Sequence, residues 1–356
     1  MGRARLRDLG ITIGTIPTGK HNAITDVPGV RVGHSTIIHD DPRIARTGVT
    51  VIFPRAEPIW DNHAFAGFHV LNGNGDFTGT HWIDEAGLLT TPIAITNTNQ
   101  VGLVRDVLVE YSTHEHGVEE WVMPLVAETF DGWLNDINGF HVKREHVYEA
   151  IVKASDGPVE EGCVGGGTGM ICYEFKGGIG TSSRLVTTPS GQFTVGVLVQ
   201  ANHGDRTLFR VDGVPVGREL HSGVVPVPAE PPKQAGSIIV IVATDAPLLP
   251  GQCRRLAQRA TIGLARTGCV GHNGSGDLFL AYSTGNTVPY EHHEPYDVQM
   301  LPQPQMNPLF DGVAEATEEA VINALTAAET MVGYKGRTVH ALPLDELQMI
   351  MRKYYR

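Results

Sequence analysis

Val224-Val225-Pro226-Val227-Pro228-Ala229-Glu230-Pro231-Pro232-Lys233-Gln234-Ala235-Gly236 runs straight into Ser237-Ile238-Ile239-Val240-Ile241-Val242-Ala243-Thr244. Four prolines fall within residues 226–232. Proline lacks a backbone donor and fixes φ, so this stretch joins neither helix nor sheet ladder and reads as an exposed linker. The apolar run after it is β-branched and far too short to span a bilayer, which marks a strand buried on both faces. The Gly236–Ser237 bond sits where linker meets strand. Cutting it would leave Ser237 as a new chain terminus on a rigid element. Its freed α-amine, with a pKa of about 8, is a base within reach of its own hydroxyl. The alternative is an ordinary loop entering an ordinary strand.

Working outward, the chain has 356 residues, 41% hydrophobic and 19% charged, enough for a large core. A net charge of −12, from 27 basic and 39 acidic residues, argues against nucleic acid and anionic membrane as partners. Arg3, Arg5 and Arg7 are followed by no apolar stretch, and Leu6 stands where a myristoylation signal needs Ser or Thr. Cys163, Cys172, Cys253 and Cys269 show no CxxC spacing, which fits a reducing cytoplasm.

Strand-like runs alternate with helical ones. Residues 30–37, 49–53, 92–96, 193–200, 237–244 and 278–283 are predicted strands. Helices are predicted after the 97–102 turn, over 143–154, from Pro250 to about Arg266, over about 308–331 and over 344–354. The 308–331 helix should bury Val313, Ala316, Ala320, Leu325 and Ala328. There is no internal repeat, and the only internal boundary is the 224–236 linker, so an α/β class follows, as one large domain or two.

A Gly-x-Ser-x-Gly elbow, a Gly-x-Gly-x-x-Gly turn and a P-loop are all absent, which leaves nucleotide cofactors unsupported. His114-Glu115-His116 and Glu291-His292-His293-Glu294 lack HExxH spacing and sit in polar surroundings, so they read as surface rather than metal ligands. Gly162–Met170 is either a pocket lined by backbone N–H groups or a close packing crossing. Asn72–Asp76 is a turn by composition. Asn202 ends a buried strand, where its amide either donates to an oxyanion or caps a turn. Ser275 and Asp277 sit two apart at the start of a strand and share a face. They can orient an ammonium or a second hydroxyl, or simply belong to a hairpin.

The strings PIAITNTNQVG, ETFDGWLNDING, GCVGGGTGM, VGVLVQANHGDR, GSIIVIVATDAPLLPGQ and NGSGDLFLAYST, in this order from about Gly29 to Leu325, resemble the DmpA/BapA family. Its members are L-aminopeptidase/D-Ala-esterase-amidases and β-peptidyl aminopeptidases. The resemblance implies a four-layer α/β/β/α sandwich like that of N-terminal-nucleophile hydrolases, with different connectivity. It also implies one precursor cut between Gly236 and Ser237 into an α chain of residues 1–236 and a β chain of residues 237–356. By motif, Ser237 is the nucleophile, Ser275 and Asp277 contact the new amine, and Asn202 is the oxyanion donor. Some relatives have Glu where Asp277 stands. Glu128 matches the carboxylate that receives the substrate's free amine. Trp133 falls where a tyrosine is expected, which puts any phenol role there in doubt.

With no ligand set of recognisable spacing and no nucleotide motif, no metal and no cofactor are expected. The resemblance implies small peptide, amide or ester substrates with a free amine, and a homo-oligomer of four or more copies. The rival readings are an amidase on a pantetheine-like or nylon-like amide, an acyltransferase that matures in the same way, and a non-catalytic binder that never cleaves.

Overall fold

In the computed structural model, residues 2–119, 121–228, 236–290 and 292–355 are described. Ten strands form the frame: β1 (Arg31–His39), β2 (Ala45–Phe53), β3 (Asn62–Gly73), β4 (Leu88–Leu89), β5 (Ile93–Asn97), β6 (Leu125–Thr129), β7 (Gly178–Thr188), β8 (Gly191–Asn202), β9 (Ser237–Thr244) and β10 (Gly276–Pro289). The main helices are α1 (Val101–Glu110), α2 (Arg144–Val152), α3 (Pro250–Arg266), α4 (Asn307–Ala327) and α5 (Leu344–Tyr354). One sheet has the order β1-β2-β5-β6, and the other β4-β3-β10-β9-β8-β7.

Strand β9 explains the layering. Ile238, Val240 and Val242 enter a core shared with α3 and α4, while Ile239, Ile241 and Ala243 enter a second core. That second core also takes Ile52, Ile93, Ile95 and Ala127 from the smaller sheet, so the two sheets face each other. A third core packs α1 and α2 on the smaller sheet's outer face through Val104, Leu108, Val147 and Ala150. The result is helices, sheet, sheet, helices, the four-layer sandwich that the resemblance implies. Period-2 alternation of side chains places a strand with two apolar faces at the centre of such a stack.

All six predicted strands are present, most of them longer than predicted, as are the helices at 250–266 and 344–354. All five residues expected to be buried on α4 are buried. The helix stops at Ala327 rather than Met331, because Ala328 turns extended and Met331–Val332 pairs with Thr338–Val339. Strands β3, β4, β6 and β7 were not expected. The 229–235 part of the Pro-rich linker lies outside the described residues, and Glu291 of the second His/Glu cluster does too. His116 of the first cluster stacks on Trp60 at 4.2 Å between ring centroids. No helix among the described residues is long and apolar enough to cross a membrane.

The Gly162–Met170 segment is a close crossing. A Cβ on Gly166 would lie 2.2 Å from Gln200 Oε1, and one on Gly167 would lie 2.4 Å from the Ile179 nitrogen. The N–H groups of Gly165 and Gly166 are taken by the hydroxyls of Thr36 and Thr50. Its donors therefore tie the backbone to the smaller sheet instead of lining a pocket.

Candidate active site

Ser237 is the first residue of β9, with Asn202 of β8 directly opposite on one side and Gly276 of β10 alongside on the other. Its buried hydroxyl donates to the carbonyl oxygen of Gly236 at 2.7 Å. The same oxygen accepts the Gly276 N–H at 3.0 Å. Two donors thus polarise the carbonyl that a cut before Ser237 must open.

Asn202 is held at both ends of its amide. Its Nδ2 donates to the Phe130 carbonyl at 3.1 Å, and its Oδ1 accepts the Ile171 N–H at 2.8 Å. That pattern fixes which end carries the hydrogens, and the second N–H of Nδ2 stays available to an acceptor.

Ser275 donates to Asp277 Oδ1 at 2.6 Å, and Asn72 Nδ2 donates to Asp277 Oδ2 at 3.2 Å. Asp277 is in register with Ile238 and Gly276 with Ser237. By alternation Asp277 faces the helix-side core, and Ser237 faces the other sheet. In the uncleaved chain Ser275 and Asp277 make no hydrogen bond to Ser237. Ser275 borders Gly236 instead: a Cβ there would lie 3.3 Å from Ser275 Oγ. The Ser237 backbone nitrogen lies in the strand between these two faces, where an amine freed by cleavage can be met from both. Burial pushes the Asp277 carboxyl above its usual range, against the pull of its bonds to Ser275 and Asn72.

Glu128 stands beside Thr96 in the parallel β5–β6 pair. It accepts the Asp76 N–H at 2.9 Å and the Thr98 hydroxyl. A Cβ on Gly75 would lie 3.2 Å from Glu128 Oε1 and 3.4 Å from the Gly276 Cα, so this carboxylate closes on the site from the opposing sheet. Burial raises its pKa, and the two bonds oppose the rise. Three residues along, Asp131 is fully buried and pushed up to about 7, with Oδ2 unpartnered.

Trp133 is buried with Leu134 and Val339 in a small separate core, with the Arg337 guanidinium 5.0 Å from its ring centroid. The exposed ring on this segment is that of Phe130, which is 42% accessible. The indole therefore backs the segment that holds Asn202, and Phe130 presents the aromatic surface. His203 follows Asn202 but turns its ring towards Tyr173 and Cys172. Burial lowers it to about 3, leaving a neutral ring that makes no hydrogen bond to the Ser237 hydroxyl.

Sequence reasoning thus named the groups that gather here and missed their supports: Thr98, the Asp76 N–H, Asn72, the Phe130 carbonyl and the Gly276 N–H. The Asn72–Asp76 turn carried the available signal. Its three polar side chains and two glycines exceed what a simple turn requires.

A polarised serine hydroxyl, an oriented amide donor and a serine–carboxylate pair on one β-strand frame are what acyl transfer through a terminal nucleophile needs. Residues 22–339 match the pattern that defines Peptidase family S58, and the chain belongs to that family. It is similar to the beta-peptidyl aminopeptidase BapA of Sphingosinicella microcystinivorans, with 45% identity across 99% of this chain and 93% of that protein. Among solved structures it resembles a Burkholderia sp. beta-aminopeptidase (52% identity, 98% and 99% of the two chains, TM-score 0.92). It also resembles the L-aminopeptidase D-Ala-esterase/amidase of Ochrobactrum anthropi (44%, 99% of each chain, 0.92), described as a prototype of the serine aminopeptidases and a new variant of the Ntn hydrolase fold. The chain is accordingly a hydrolase, a serine aminopeptidase/amidase.

Proposed function

We propose that the chain cuts itself between Gly236 and Ser237 and then removes small N-terminal residues from short peptides, amides or esters through an acyl-enzyme on Ser237. The observation that carries this reading is the Gly236 carbonyl, held by the Ser237 hydroxyl at 2.7 Å and the Gly276 N–H at 3.0 Å. Attack by Oγ on that carbonyl carbon breaks the bond from Gly236 C to Ser237 N, and the hydroxyl proton passes to the departing nitrogen. One water opens the resulting ester to leave the Gly236 carboxylate of chain 1–236 and the free hydroxyl of chain 237–356. The Gly276 N–H already points at the oxygen that becomes the oxyanion, so it needs no reorganisation during the step.

After cleavage the Ser237 α-amine serves as the base for its own hydroxyl. Ser275 borders the space that Gly236 vacates and, with Asp277 bonded to it, orients the amine as it gains a proton. Asn202 donates its free N–H to the oxyanion of each tetrahedral intermediate. Glu128 receives the substrate's ammonium, which selects a free N-terminus over a blocked one. Trp133 backs the pocket wall that Phe130 presents.

The named activities of the relatives favour N-terminal β-amino acids and D-alanyl amides or esters among the substrates. We further propose a cytoplasmic enzyme, on the four free thiols, and a homo-oligomer of four or more copies, on the family resemblance.

A panel of p-nitroanilides tests the reading: free β-homoalanyl, L-alanyl and D-alanyl forms against the N-acetylated forms. Hydrolysis of free forms alone supports it. Equal hydrolysis of acetylated forms leaves a general amidase and removes the aminopeptidase assignment.

A further inference from the structure

Lys176 is fully buried, whereas every other described lysine is exposed. Its Nζ donates to two backbone carbonyls, those of Met170 at 2.8 Å and Gly177 at 2.9 Å, and forms no ion pair among the described residues. Burying a lysine is costly even when its donors are met, and an apolar side chain would fill the same space without that cost. The acyl-transfer chemistry described so far gives it no task.

The Met170 carbonyl leads to the active site. Met170 C=O and Ile171 N–H belong to one peptide group, and that N–H is the donor that Asn202 Oδ1 accepts at 2.8 Å. The Nδ2 of the same side-chain amide donates to the Phe130 carbonyl at 3.1 Å and keeps its second N–H available. A continuous chain of hydrogen bonds therefore runs from Lys176 Nζ through the Met170–Ile171 peptide to the Asn202 amide. The Gly177 N–H adds a second donor to the Met170 carbonyl at 3.0 Å. In such a chain each bond polarises the next. Donors at the Met170 oxygen strengthen the Ile171 N–H as a donor, and a stronger donor at Oδ1 strengthens the Nδ2 hydrogens in turn.

The local fold keeps this chain in line. Ile171–Cys172 and Phe175–Lys176 form a tight hairpin in which Ile171 stands directly opposite Lys176. Its turn residues, Tyr173 and Glu174, both have positive φ, 50° and 58°. A two-residue hairpin demands that conformation, and a non-glycine residue adopts it at a cost. Three bonds hold the turn. The Tyr173 N–H donates to the His203 carbonyl at 2.6 Å, and Arg206 donates to the Tyr173 and Glu174 carbonyls at 2.9 and 2.7 Å. His203 follows Asn202, so the hairpin is fastened to the end of β8 at its base and at its tip.

We infer that Lys176 is a positioning residue for acyl transfer: through the Met170–Ile171 peptide it holds and polarises the Asn202 amide, so that the available Nδ2–H meets the oxyanion as a stronger and better-aimed donor. The inference rests on the reading of Asn202 as the oxyanion donor. Lys176 makes no hydrogen bond to Ser237 or Gly236 and acts only through Asn202.

The test is a double-mutant cycle on the full-length protein, with kcat and KM measured on one free aminoacyl-p-nitroanilide after processing has run to completion. Asn202→Ala alone should lower kcat about 10²–10³-fold, as loss of one oxyanion donor does. Lys176→Met, an apolar side chain of similar length, should lower kcat about tenfold with KM little changed. In the Asn202→Ala background the same substitution should change kcat by less than about twofold, because Lys176 then has nothing to act through. A loss that persists undiminished in that background marks general damage to the site and overturns the proposal. Unchanged kcat in Lys176→Met alone overturns it as well. An undiminished kcat in Asn202→Ala alone overturns the Asn202 assignment itself, and this inference falls with it. Should Lys176→Met fail to fold, Lys176→Gln goes through the same cycle with the same expected and contrary results.

Discussion

The Ser237 hydroxyl donates to the carbonyl oxygen of Gly236, the residue before it, at 2.7 Å. The proposed nucleophile and its proposed first target are thus adjacent in sequence and in contact before any substrate arrives. A serine at the first position of a strand whose seven following residues are all buried cannot drift from that contact. Rigid placement of this kind is what converts a weak nucleophile into an effective one.

Gly236 has little room for a side chain. A Cβ would lie 3.2 Å from the His203 Cα and 3.3 Å from Ser275 Oγ. Gly236→Ala should slow conversion of precursor to two chains by about tenfold, since displacing the carbonyl by a few tenths of an ångström misaligns the attack. Gly236→Val should slow it further. The half-time of conversion on a denaturing gel measures this. Equal half-times for all three proteins would place the carbonyl outside the reaction.

On the proposed mechanism Asp277 stabilises positive charge on the amine that cleavage frees. Asp277→Asn keeps the shape and removes the charge, so processing and turnover should both slow, by about 10²-fold or more in kcat. Single-turnover rates for each step provide the check. Unchanged rates for both would make the Ser275–Asp277 pair a structural turn.

Glu128 gives a pH signature. Burial raises its pKa, and only the ionised form attracts an ammonium. As pH falls through that raised value, kcat/KM should fall, with an acid limb above the ordinary carboxylate range of about 4.3. Glu128→Gln should abolish that limb and raise KM far more than it slows self-cleavage, which uses no external amine. Truncating one side of a buried charge pair commonly costs about 2–5 kcal/mol. An unaltered acid limb in the variant would assign the limb to another group.

Asp131 bears on stability. Its folded pKa of about 7 lies above the unfolded value of about 3.9. The group therefore contributes stability that is fully present below pH 3.9 and is lost as pH rises through 7. Complete ionisation costs about 4 kcal/mol at 1.36 kcal/mol per unit. Asp131→Asn should gain in melting temperature over wild type as pH rises from 5 to 8. A constant difference across that range would show that Asp131 does not titrate there.

How much of this was legible follows from chemistry that is local in sequence. Strand β9 declared itself because both of its faces are aliphatic. Strand β7 did not, because Thr181, Ser182, Ser183 and Arg184 are buried by pairing rather than by being apolar. The partners of Ser182, Ser183 and Arg184, namely Asn22, Asp26, Glu315 and Glu319, lie over a hundred residues away. Strand β3 was hidden by His63, Gly67 and His69, and by an end that reads as a turn. Ser237, Ser275 and Asp277 were legible because each sits in a contiguous motif at a strand start. What Ser275 and Asp277 face in the uncleaved chain was not, since that depends on the register of β10 against β9. Thr98 and the Asp76 N–H reach Glu128 from separate segments, a contact that no spacing encodes.

The most direct test of the central claim is the intact mass of purified wild-type protein beside that of Ser237→Ala. The account predicts two wild-type chains, the smaller beginning Ser-Ile-Ile-Val, and a single inactive chain of 38.4 kDa for the variant. A wild-type preparation that is fully active as one uncut chain would contradict it.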